Sequence, residues 1–150
     1  MKGGDWSFHR SAALHVQNST NMHVHNCTFR RLNGNAFLLS GYNRYTYLQR
    51  STFEYIGQNA AAAWGYTTNS YYNGTAGLQP RYTYIQQNFF HDIGIFQKQS
   101  AAWFQAKSAL TFVEQNVMFN LPRAAININD GFGGGNIIQF NIIFNTCRER

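Results

Sequence analysis

Two lysines, Lys98 and Lys107, bracket a short run that carries Trp103 and Gln105, and a second polar run, Asn127-Ile128-Asn129-Asp130, lies further along. An ammonium group can offset a substrate carboxylate or, once deprotonated, act as a base. An indole and several amides can hold an uncharged polar ring by its face and its hydroxyls. Only six acids exist: Asp5, Glu54, Asp92, Glu114, Asp130 and Glu149. Hydrolysis of a glycosidic bond usually needs two carboxyls about 5 to 9.5 Å apart, and Asp130 with Glu149 is the pair the sequence suggests. Asp130, Lys107 and Glu149 are therefore the candidate catalytic residues. Lys98, Trp103, Gln105, Asn127, Asn129 and Arg148 are the candidate substrate-binding ones. Elimination on a uronic acid polymer would need a cation and a base instead, and Lys98, Lys107, Arg123 and Arg148 could fill those roles. The residues do not choose between hydrolase, lyase and non-catalytic binder.

Each of these residues also has an ordinary reading. Lysines are commonly solvated surface charges, Asn127 and Asn129 could cap turns, and Asp before Gly is a frequent turn pair. His15, His23, His25 and His91 show no metal-ligand spacing, although His91-Asp92 could be an oriented pair. Gly131 to Gly135 gives a turn where backbone can approach a ligand, but it lacks the Lys-Ser/Thr of a phosphate loop. No metal and no cofactor is expected.

The elements that would position these groups are written as a repeat. Tyr84-Ile85-Gln86-Gln87-Asn88-Phe89-Phe90 recurs as Phe112-Val113-Glu114-Gln115-Asn116-Val117-Met118-Phe119 and as Ile137-Ile138-Gln139-Phe140-Asn141-Ile142-Ile143-Phe144. Weaker copies run through Tyr47 to Phe53 and His23 to Phe29. The equivalent positions Cys27, Ser51, Asn88, Asn116 and Asn141 are separated by 24, 37, 28 and 25 residues. Alternating apolar residues followed by Asn, Gly or Ser signal strands and turns. Units this short leave no room for crossover helices. The reading is all-β: a parallel β-helix of about five coils, each repeat of roughly 24–28 residues contributing this one strand phrase and a second short apolar run, with strands stacked about 4.8 Å apart. Asn88, Asn116 and Asn141 should form a ladder at a bend, with Cys27 and Ser51 as small substitutes.

The second run is led by alanine: Ala12 to Val16, Ala36 to Ser40, Ala60 to Trp64, Ala102 to Ala106 and Ala124 to Ile128. Alternation puts Leu14 and Val16 inward and Trp103, Gln105 and Lys107 outward. Stacking on that alignment sets Gln105 beside Asn127 and Lys107 beside Asn129, a polar stripe over the alanine-led strands. One unit swells: residues 65–81, rich in Gly, Tyr and Asn, form a loop insertion within a single domain of residues 1–150. Tyr66, Tyr71 and Tyr72 could stack on sugars there.

Aromatics are 17% of the chain and charged residues 12%, about half the usual charged share. A surface of amides and hydroxyls suits sugars. The net charge of +6 admits an anionic partner, but Arg30-Arg31 is the only adjacent basic pair, so no nucleic acid is expected. Cys27 and Cys147 lie in the first and last coils, beyond disulfide reach. No apolar run is long enough to span a membrane. The sequons at Asn18, Asn26 and Asn73 agree with an extracellular or cell-surface location. A monomer is expected. Both ends lack a capping element, which reads as part of a longer β-helix.

The repeat resembles the right-handed parallel β-helix (pectin-lyase-like) superfamily across essentially the whole chain. Gly94 to Ser100, Trp103 to Lys107, Asn129 to Asn136 and Phe144 to Glu149 resemble a subgroup of large extracellular right-handed β-helix proteins similar to carbohydrate-active enzymes. That resemblance implies a polysaccharide as substrate or ligand; a non-catalytic glycan-binding or structural solenoid is the alternative. In that subgroup an acidic, His-containing stretch usually follows the equivalent of Arg148-Glu149, whereas Arg150 is the last residue here.

Overall fold

The computed structural model describes residues 9–67, 76–129 and 133–147, and contains strands but no helix among them. The strands are β1 (Leu14–Thr20), β2 (His23–His25), β3 (Thr28–Leu32), β4 (Phe37–Gln49), β5 (Thr52–Ile56), β6 (Ala61–Trp64) and β7 (Pro80–Gln86). Then come β8 (Phe89–Ile93), β9 (Ala101–Ala106), β10 (Ala109–Glu114), β11 (Val117–Phe119), β12 (Ala124–Asn129), β13 (Ile137–Gln139) and β14 (Ile142–Phe144). Every pairing is parallel and joins strands of successive turns. The result is a parallel β-solenoid of about five turns.

Each coil has three faces. The first stacks β1, the start of β4, β6, β9 and β12; the second stacks β2, the end of β4, β7, β10 and β13; the third stacks β3, β5, β8, β11 and β14. The repeated phrase is thus two strands that meet at a corner, and a coil is three-stranded rather than built on one repeated strand. The cause is local. Asn26, Arg50, Gln87, Gln115 and Phe140, each one residue before the ladder position, have φ between 49 and 57°. A left-handed residue costs an L-amino acid about 1–2 kcal/mol, and it turns the strand at every coil.

The polar ladder at this corner is as read from the spacing. The backbone N–H of Cys27 donates to Ser51 Oγ at 3.2 Å, that of Ser51 to Asn88 Oδ1 at 2.9 Å, that of Asn88 to Asn116 Oδ1 at 2.9 Å, and that of Asn116 to Asn141 Oδ1 at 3.0 Å. The ladder passes unbroken from Ser51 to Asn88 across the 37-residue interval. The extra residues leave the coil between Trp64 and Pro80, so Pro80 and Arg81, expected in the insertion, already belong to β7. Tyr71 and Tyr72 lie outside the described residues.

Inside, like side chains stack on like. Phe29, Phe53 and Phe90 are face to face at 4.6 and 4.8 Å, and Leu48, Ile85 and Val113 share another column. The first face corrects the expected alignment. Leu14 pairs with Phe37 and Ala101 with Ala124, so Ala13 and Ala125, not Ala12 and Ala124, match Ala36, Ala60 and Ala102. A slip of one residue exchanges the two faces of a strand. Trp103 therefore points inward, fully buried between Ala61 and Ile126. The short side chains of Ala61 and Ala63 leave the volume that its indole fills. Cys27 and Cys147 are free thiols.

Candidate functional site

The third face carries one outward column, Arg30, Glu54, His91, Phe119 and Phe144, paired rung by rung over five coils. Period-two alternation sends Phe29, Phe53, Phe90 and Met118 into the core and these neighbours out. Arg30 Nε lies 2.9 Å from Glu54 Oε1, and Glu54 Oε2 lies 3.3 Å from His91 Nε2. His91 Nδ1 is 2.9 Å from Asp92 Oδ2 of its own coil. Below the imidazole the Phe119 ring stacks at 5.2 Å, while Tyr55 and Phe89 approach edge-on. His91 is thus held by a carboxylate at each nitrogen and an aromatic face on one side.

Asp92 occupies a left-handed corner position, φ 52°, matched by Arg31, Tyr55, Asn120 and Asn145 on the other coils. There it borders a cleft of about 210 Å³ with Ile93, Ile95, Lys98, Asn120, Leu121 and Pro122. Asn120 Nδ2 donates to Asp92 Oδ1 at 3.4 Å, and Lys98 Nζ donates to the carbonyls of Gly94 and Ile95 at 3.3 and 3.0 Å. Gly94 has φ +68°, and a Cβ there would sit 2.3 Å from Pro122 Cγ, so only glycine lets this wall close. The cleft is smaller than the ~300–1,000 Å³ of drug-sized pockets; it has room for one ring or an acidic substituent.

Chemically, the site sets an ammonium and a carboxylate on one cleft, with an oriented imidazole behind the carboxylate. Nδ1 lies within hydrogen-bond distance of Asp92 and Nε2 within ion-pair distance of Glu54. A ligand that takes over one carboxylate frees a ring nitrogen to move a proton.

Of the expected residues that the structure describes, Lys98 alone lines this cleft. Trp103 and Gln105, expected outward, lie in the core: Trp103 Nε1 donates to Gln105 Oε1 at 3.0 Å, and Gln105 Nε2 to Asn136 Oδ1 at 3.3 Å. The expected pairing also shifts, since Asn127 faces Phe104 and Asn129 faces Ala106. Nor is the outer side of the alanine-led strands an open groove, because Leu38, Ala62, Phe104 and Ala106 are buried there at 0 to 2% exposure. Lys107, half-buried, sits at a left-handed bend (φ 52°) after β9 and is not among the residues that line the cleft. Asp130, Arg148 and Glu149 lie outside the described residues.

Glu54 and Asn120 escaped the sequence reading. The signal was present: 30, 54, 91, 119 and 144 repeat the intervals 24, 37, 28 and 25 of the Asn ladder.

Among the described residues, no group of three or more His, Cys, Asp or Glu side chains could hold a metal ion, and no helix is long and apolar enough to cross a membrane. No protein-family model, curated protein or solved structure matches the chain.

Proposed function

We propose that this β-solenoid is a carbohydrate-active domain of the right-handed, pectin-lyase-like kind, which as a monomer takes an extracellular or cell-surface polysaccharide at the cleft of Asp92, Lys98 and Asn120. The observation that supports it best is the clamped imidazole. His91 is oriented by Glu54 and Asp92 beside a cleft that Asp92 and Lys98 both line. In a hydrolase, Asp92 would supply one of the two carboxyls that the reaction needs, as proton donor or nucleophile. In a lyase, Lys98 would offset a uronate carboxylate and His91 would take the proton at C5.

A second reading, a non-catalytic glycan-binding or structural solenoid, is favoured by one observation: both nitrogens of His91 are already bonded within the protein. Incubation with a panel of polysaccharides separates the two. New reducing ends identify a hydrolase, and absorbance of an unsaturated product identifies a lyase. Retention of a glycan without turnover leaves the binder, and retention of none overturns the carbohydrate reading.

A further inference from the structure

Arg10 lies shortly before β1, and its guanidinium carbon sits 3.9 Å over the Trp64 ring and 4.0 Å over the Tyr66 ring. Nη1 donates to Ser40 Oγ at 3.0 Å and to the carbonyl of Trp64 at 2.9 Å, and Nη2 donates to the carbonyl of Gly65 at 3.1 Å. Ser40 is fully buried on the rung where β4 pairs with β6 at Trp64, and its Oγ lies 3.3 Å from the Tyr66 hydroxyl. Tyr66 is set by the neck of the insertion: its N–H donates to the carbonyl of Leu78 at 2.8 Å, and its carbonyl accepts from Gln79 Nε2 at 2.6 Å. Gly41, at φ +66°, leaves the room that ring needs, since a Cβ there would lie 3.1 Å from Tyr66 Cε2. Among the described residues no carboxylate pairs with Arg10. Two aromatic faces, two carbonyls and a hydroxyl offset its charge instead. The main chain around it is anchored separately, because Asn35 Nδ2 donates to the carbonyls of His9 and Ser11 at 2.8 and 2.9 Å. The side chain can therefore leave without unseating the segment.

We propose that Ser40, Trp64, Gly65 and Tyr66 form a binding slot for an arginine side chain, which this chain closes with its own Arg10 and which takes the arginine of another peptide when Arg10 withdraws. The occupant's chemistry is read from the slot itself, which already holds a guanidinium. Its acceptors meet both Nη groups of one planar fork. Its aromatic walls suit a delocalised, weakly hydrated cation better than a compact ammonium. Arg10 competes as a tethered ligand at an effective concentration on the order of 1 mM, so the slot is self-blocked. No residue of the slot lines the His91 cleft, and the inference goes beyond the carbohydrate reading without depending on it.

Titration of Arg10→Ala with methylguanidinium at constant ionic strength tests this, read from the Trp64 indole N–H resonance, which Trp64→Phe identifies. The variant should show a saturable shift, with apparent affinity at least roughly tenfold above that of the wild type, where Arg10 competes. Ethylammonium, which has the charge but not the fork, should bind at least roughly tenfold more weakly than methylguanidinium. Equal titrations of Arg10→Ala and the wild type overturn the slot, as does an unchanged affinity in the Arg10→Ala/Tyr66→Leu double variant. N-acetylarginine amide should compete with methylguanidinium; binding of the small cation alone overturns the choice of a peptide arginine as partner. Should Arg10→Ala not fold, the wild type still decides. The Arg10 δ-methylene protons should be shifted upfield by the two rings and move back towards ordinary values in Tyr66→Leu. Shifts like those of an unstacked arginine in the wild type would overturn the slot.

Discussion

Asn88 and Asn116 are joined twice through one atom: the backbone N–H and the Nδ2 of Asn88 both donate to Asn116 Oδ1, at 2.9 and 3.1 Å. Asn116 Nδ2 in turn bonds the carbonyl of Ile85 and Asn141 Oδ1. One amide thus satisfies two backbone groups of the preceding coil, the Asn88 N–H and the Ile85 carbonyl, where no water reaches. Asn116→Ala leaves those groups buried and unpaired, and should cost roughly 2–4 kcal/mol in urea unfolding. A loss below about 0.5 kcal/mol would mean the ladder is ornamental.

Trp103 separates an inward from an outward orientation of the fourth coil. In the core, Trp103→Ala should cost about 3–5 kcal/mol, and a surface position would stay within about 0.5 kcal/mol. Ala61→Leu pushes into the same volume and should cost about 1–3 kcal/mol. Denaturant midpoints measure both.

Thr46, Thr83 and Thr111 stack on three coils, each fully buried, and their hydroxyls meet no protein partner. Thr83→Val removes a buried polar atom at nearly constant shape, so thermal unfolding should show a gain of about 1 kcal/mol. A loss of that size would show that the hydroxyl is satisfied in solution.

At the cleft, Lys98 is exposed and bonded only to two carbonyls, so Lys98→Ala should leave the melting temperature within about 2 °C. Glycan affinity at the cleft should drop several-fold. His91→Gln keeps hydrogen-bonding capacity but cannot relay a proton, so in a catalytic domain turnover should fall about 10²–10⁴-fold. In a binder, affinity would be nearly unchanged.

The ladder was legible because its intervals recur with a small or amide residue at every step. The alanine-led strands were only partly so. Ala12-Ala13 and Ala124-Ala125 each offer two equally good matches to Ala36, and choosing the wrong member by one residue reversed the faces of Trp103 and Gln105. His91-Asp92 was visible as neighbours. Glu54 was not, because its partnership with His91 exists only when the coils are stacked at the ladder's own interval.

The insertion leaves the coil at a corner while Arg50 and Gln86, Ser51 and Asn88 stay in hydrogen-bonded step. Spacing along the axis is therefore insulated from the length of the chain between Trp64 and Pro80. That corner is a natural socket: a foreign peptide grafted there should leave the third and fourth coils in their present register, whereas a single residue added within β7 would throw every later rung out of phase.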